Sequence, residues 1–143
     1  MPTRSSRRAS VAVQFALPRR GLPSAASLRR WALGFSGITL RLVGEREGRR
    51  LNALFGKKNK ATNVLSFSYG GGRGDVVLCH PVIAREARAQ GKTLRAHYAH
   101  LVVHGVLHLR GHDHLNRRAA ARMERREIRL LARFGFADPY KVK

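Results

Sequence analysis

Acidic residues are scarce in this sequence: 8 Asp and Glu stand against 29 Lys and Arg, a formal net charge of +21 over 143 residues. A chain so charged is a poor match for cationic substrates and a good one for polyanions, of which nucleic acid is the commonest. Cysteine is nearly absent too. The single Cys79 excludes an intramolecular disulfide framework and a multi-thiolate metal site, and fits a reducing compartment. Aromatic residues make up 7% of the chain, too few to show an ordered base-stacking platform. No apolar run approaches the roughly 20 residues that cross a bilayer. The run Ala9–Leu17 is broken by Gln14 and followed by Pro18-Arg19-Arg20 instead of a small-residue cleavage site, so it reads as a basic tail entering a strand, with no membrane role and a cytoplasmic location.

What is present is enough apolar residue, 43%, for one folded core. Residues 1–10 read as a basic tail, 11–136 as the domain and 137–143 as a C-terminal tail. Strands are expected at Val11–Leu17, Ile38–Val43, Thr62–Phe67 and Asp75–Cys79, the last two joined through Gly70, Gly71, Gly72 and Gly74 as a hairpin or a short crossover. Helices are expected after the cap Ser24 as far as Gly34, at Glu45–Phe55 with Leu51, Leu54 and Phe55 inward, and at about Pro81–Gln90, Leu94–Leu109 and Arg117–Phe134. The fold class is α/β: a single compact domain in which a small mixed sheet of about four strands packs with about five helices.

The last helix separates two functions by face. Met123, Ile128, Leu131 and Phe134 fall at core spacing, while Arg118, Arg122, Arg125, Arg129 and Arg133 recur every three or four residues as a cationic stripe suited to phosphates. Glu127 interrupts the apolar side between Met123 and Leu131, and a carboxylate there calls for a buried partner.

Six of the seven histidines lie between His97 and His114. On a helix, His100, His104 and His108 form one stripe, but positions eight apart are separated by about 12 Å and cannot share one ion whose ligands lie about 2 Å away. Gly111, three residues past His108, can end the helix left-handed and return His114 beside His108. The resulting His104-x-x-x-His108-x-x-Gly111-x-x-His114 has the spacing of the metzincin zinc ligands. Those proteases carry a glutamate base directly after the first histidine, and here that place is Gly105. Three imidazoles with no fourth ligand leave an open position, the mark of a catalytic rather than a structural zinc, and imidazole ligands favour Zn2+. His97, His100 and His112 read as core or surface residues, any one able to serve as a supporting or substrate contact. Asp113 either orients a ligand imidazole or caps the turn.

The run from His104 through His114 resembles the signature of the bacterial YbeY endoribonucleases, or rRNA maturation factors. Leu51-Asn52, Thr62-Asn63-Val64-Leu65-Ser66-Phe67, Asp75-Val76-Val77, Ala99-His100-Leu101-Val102-Val103 and the stretch from Met123 to Glu127 are similar to the family in order and spacing. The resemblance covers about residues 11–135. It implies one zinc held by His104, His108 and His114 with a water, in a cleft between helices and a small sheet. It also implies a single-strand-specific RNA hydrolase in 3′-end maturation of small-subunit ribosomal RNA and ribosome quality control, with the small subunit and its assembly factors as partners. The nucleophile would be a metal-activated water or the ribose 2′-hydroxyl.

Two positions depart from the family pattern. An arginine usually follows the Leu-Asn pair in the cleft, and counting forward puts Gly56 there. Lys57 or Lys58 is the candidate replacement, although lysine offers a point charge without arginine's planar fork. Ser68 stands where many members have proline, a difference of loop stiffness. Lys57, Lys58 and Lys60 join Arg118, Arg122, Arg125 and Arg129 as the expected RNA-binding surface. The rival expectation is an RNA-binding assembly factor whose zinc site has weak or no hydrolytic activity. A zinc protease is disfavoured by Gly105.

Overall fold

A computed structural model describes residues 11–33, 35–56, 61–111 and 116–141. Along the chain these form β1 (Ala12–Phe15), α1 (Ala25–Trp31), β2 (Ile38–Val43), α2 (Glu45–Leu51), a π-helical turn (Asn52–Gly56), β3 (Val64–Gly70), β4 (Arg73–Cys79), α3 (His80–Gln90), α4 (Leu94–Leu109) and α5 (Arg117–Arg133). The α/β class, the four-stranded mixed sheet and the five helices agree with the sequence reading.

Local chemistry starts the helices where the sequence indicates. Ser24, Thr93 and Asn116 each accept a backbone N–H three residues on, from Ser27, Ala96 and Ala119, and so cap α1, α4 and α5. Pro81 sits in the first turn of α3, where its missing N–H costs nothing.

The strand order is β1-β2-β4-β3, with β1, β2 and β4 parallel and β3 antiparallel at the edge. The glycine cluster therefore makes a hairpin, and its pairing extends β3 to Gly70, beyond the expected end at Phe67. Alternation places Leu40, Leu42, Val76 and Leu78 on one face, in the main core with Leu28, Trp31, Tyr98, Val102, Val106, Met123 and Leu131. The other face carries a smaller cluster of Val43, Val77 and Cys79 beneath Leu51, Leu65, Phe67 and Val82.

One expectation fails in α2. The helix ends at Leu51, and Leu54 and Phe55 are 65% and 61% exposed rather than inward. A π turn advances less per residue than an α turn, so each position from Asn52 onward falls further behind the helical phase that would point it at the core. Phe55 instead lies edge-on to Phe67 of β3, with ring centroids 5.2 Å apart.

Candidate active site

Helix α4 is buried on most of its circumference, and His100, His104 and His108 lie along its less buried side. Its seat on the sheet is set by Gly105. A Cβ there would lie 2.7 Å from Val76 Cγ1, and Ser66 Oγ donates to the Gly105 carbonyl at 3.3 Å. The helix rests on β4 by bare backbone, so the place where a metzincin carries its glutamate faces the sheet and has no room for one. This is the physical reason that the protease reading fails.

The histidine side of α4 meets Glu127 of α5. The Glu127 side chain is 1% exposed and accepts from His104 Nδ1 at 2.6 Å on one oxygen and from His100 Nε2 at 3.0 Å on the other. The Tyr140 hydroxyl donates to that second oxygen and lies 3.2 Å from His100 Nε2. The partner that the sequence demanded for Glu127 is thus a cage of three donors. Burial alone would raise this carboxyl, but the hydrogen bonds from His100, His104 and Tyr140 outweigh it and hold the group at about 2. Burial and the adjacent carboxylate push the Tyr140 phenol up.

This cage fixes the His104 tautomer. An ionised carboxylate only accepts, so the ring proton sits on Nδ1, and neutral His104 carries its lone pair on Nε2, the state a metal ion requires. His108 follows one turn later, with its ring centroid 6.4 Å from that of His104 and the planes at 70°. The pair and its carboxylate support suit a divalent ion of borderline softness. The helix ends at Leu109 and Gly111 adopts φ +97°, the left-handed turn expected from its position. His114, with His112 and Asp113, lies outside the described residues, as do Gly34, Lys57, Lys58, Lys60 and the basic tail 1–10. Among the described residues no group of three or more His, Cys, Asp or Glu is arranged to hold a metal.

The arginine stripe is where the sequence put it. Arg118, Arg122, Arg125, Arg129 and Arg133 are all exposed on α5, opposite buried Met123, Glu127 and Leu131. Among the described residues, arginine–carboxylate ion pairs involve only Arg41, Arg49 and Arg85, so the stripe presents uncompensated charge.

Sequence reasoning missed two groups. Tyr140 was not among the candidates, although Asp138-Pro139-Tyr140 just past the last helix is a turn signal that ends on an aromatic able to donate. His97 pairs with Glu86 of α3 at 2.8 Å, and Asn63 donates to the same Glu86 oxygen at 3.0 Å. No spacing links those three residues, so only the folded packing reveals them.

The sequence model of the family described as Endoribonuclease YbeY matches residues 18–135. A protein named Endoribonuclease YbeY from Aromatoleum aromaticum is 50% identical over 95% of this chain and 95% of its own length. One of the same name from Stenotrophomonas maltophilia is 47% identical over 96% and 97%. In fold, the chain is similar to the solution structure of TM1509 from Thermotoga maritima, at a TM-score of 0.58 and 20% identity, covering 92% of this chain and 99% of that one. The chain belongs to the YbeY endoribonuclease family.

Proposed function

We propose that the protein is a zinc-dependent endoribonuclease of the cytoplasm that cuts single-stranded RNA, acting in 3′-end maturation of small-subunit ribosomal RNA and in ribosome quality control beside the small subunit and its assembly factors. The observation that carries this reading is the hydrogen bond from His104 Nδ1 to buried Glu127, one helical turn before His108. It prepares one imidazole as a metal donor, with Nδ1 engaged by the carboxylate. His104, His108 and His114 would hold the ion, with Asp113 and His100 as supporting contacts. When bound, Zn2+ supplies Lewis-acid polarisation of a phosphoryl oxygen.

The remaining work falls to the chain itself. Arg118, Arg122, Arg125 and Arg129 gather the phosphate backbone, and Lys57, Lys58 and Lys60, which follow the family's arginine position in sequence, would join them in binding RNA. A lysine there would stabilise the negative charge that builds on the phosphoryl oxygens in the transition state. Glu127 keeps the His104 ring from turning. Among the described residues no helix is long and apolar enough to cross a membrane, in keeping with an RNA substrate reached from solution.

The test is cleavage of single-stranded RNA by the pure protein and by His108→Ala, both shown to be folded. A loss of at least about 100-fold in the variant is expected, since one of three ligands is gone. Equal cleavage by the two would overturn the reading. Gly56, at the place of the family's arginine, favours one second reading, an assembly factor that binds zinc and RNA but hydrolyses weakly. It wins if the wild type is inert and Gly56→Arg gains activity.

A further inference from the structure

The C-terminal turn ends beside the histidine site, and its role is not explained by packing. Tyr140 is 41% exposed, an unusual position for a tyrosine that serves the core, yet its hydroxyl reaches a carboxylate that is 1% exposed. The turn is shaped for that reach: the Tyr140 N–H donates to Asp138 Oδ1 at 2.8 Å, and Pro139 between them restricts the backbone. The turn also borders a cavity of about 580 Å3 whose other walls include Lys92, Ala96, Leu131 and Phe136. The ring is held from two sides, by an edge contact with His100 at 5.2 Å between ring centroids and by its hydroxyl's hydrogen bond to Glu127.

Glu127 has two oxygens and three donors. His104 takes one oxygen alone, while His100 and Tyr140 share the other. Without the phenol, the shared oxygen keeps only His100, whose buried Nδ1 has no hydrogen-bond partner among the described residues and whose ring packs against those of His97, His104 and Tyr140. Tyr140 thus supplies one of the two hydrogen bonds on that oxygen, and its loss weakens the hold on the carboxylate that orients His104.

We propose that Tyr140 is a positioning residue for the metal site, acting through Glu127 to hold His104 in the Nδ1–H tautomer with Nε2 as donor. The proposal rests on the zinc reading given above. It makes the turn from Asp138 to Tyr140 part of the site, acting through Glu127.

Tyr140→Phe removes one oxygen atom and leaves the ring. Three measurements on the full chain decide the matter: the His104 tautomer in metal-free protein by long-range 1H–15N NMR, zinc affinity by competition with a chromophoric chelator, and the melting temperature. The expected result is a shift of His104 toward a mixture of tautomers and zinc binding weaker by about tenfold, the lower end for supporting residues, with melting lowered by a few degrees because one hydrogen bond to a buried carboxylate is lost. Unchanged tautomer and unchanged affinity overturn the proposal, whatever happens to melting, because a merely structural tyrosine would move the melt alone. If the wild type binds no zinc, the zinc reading falls, and the metal-free tautomer by itself decides whether Tyr140 orders His104.

Discussion

Glu86 with His97 and Glu127 with His104 pair the same two functional groups along the same helix, with burial reversed. In the first pair the imidazole is 4% exposed and the carboxylate 32%; in the second the imidazole is 23% exposed and the carboxylate 1%. A buried imidazole with its partner toward water is a way of satisfying a polar core residue. A buried carboxylate with its imidazole toward water is a way of aiming that imidazole. The two pairs lie two helical turns apart on α4 and differ in what packs over them: α3 leaves Glu86 at an edge, whereas α5 places Glu127 on its buried stripe. The same contact therefore serves the fold in one place and the site in the other, and burial of the carboxylate tells them apart.

The largest expected effect breaks this contrast by one atom in each carboxylate. In Glu86→Gln the amide oxygen can take the place of Oε1, which alone accepts from both His97 and Asn63, and the NH2 turns toward water. Stability should fall by about 1 kcal/mol or less, with RNA cleavage unchanged. Glu127→Gln has no such escape, because both oxygens accept. Whichever way the amide turns, its NH2 meets a ring N–H, so His104 must move its proton to Nε2 or His100 must move its proton to its buried Nδ1, which has no hydrogen-bond partner among the described residues. Unfolding should show a cost of about 1–3 kcal/mol, and chelator competition should show zinc binding weaker by about 10–100-fold. Similar losses in the two variants would erase the distinction.

Part of this contrast was legible in the sequence. Met123, Glu127 and Leu131 at helical spacing marked a carboxylate on an apolar stripe, because burial on α5 follows the helical period. The histidine spacing placed His100, His104 and His108 on one side of α4 for the same reason. The failures are also physical. Leu54 and Phe55 matched the inward phase of an α-helix, but the π turn at Asn52 changes that phase, and no periodic template includes such a turn. Glu86, His97 and Asn63 come from three separate elements and carry no shared spacing. Tyr140 was missed because its role depends on where the chain goes after α5, which a tertiary contact decides. Gly105 was legible as a missing base, while its cause, the close seat on Val76, required the fold.

A smaller effect concerns the seat that both pairs share. Gly105→Ala adds helix propensity worth about 0.5–1 kcal/mol, but its Cβ would stand 2.7 Å from Val76 Cγ1 and 3.3 Å from Ser66 Oγ. Val76 is fully buried in a central strand and its branched side chain has few rotamers, so the helix must lift instead. Overpacking of about 1–3 kcal/mol outweighs the gain, and the net loss should be about 1–2 kcal/mol by denaturant unfolding. The lift should be felt at His104, next in sequence, more than at His97. Nuclear magnetic resonance shifts confined to the His97 ring, or a more stable protein, would contradict this seat.

The smallest effect belongs to the buried imidazole. Burial lowers the His97 pKa; Glu86 pulls it back up in part, while Lys92 and His100 push it further down. The folded protein thus refuses a proton that the unfolded chain accepts below about 6.5, the ordinary histidine value. Since the unfolded state binds more protons in that window, stability is complete above pH 6.5 and declines as pH falls below it, with a slope of at most about 1.4 kcal/mol per pH unit from this group. His80, bonded through Nδ1 to the Tyr98 hydroxyl at 2.7 Å and also lowered by burial, adds a decline of the same sign. Melting followed from pH 7 to pH 5 should therefore fall by a few degrees, and His97→Gln should flatten the curve while lowering its starting point. The decisive quantity is the slope, because a glutamine that merely packs less well shifts the whole curve, and only the loss of a titrating imidazole changes its steepness. Parallel curves for wild type and variant would mean that His97 takes up its proton as readily in the fold as outside it, and that the reversed burial of the two pairs has no consequence for how they titrate.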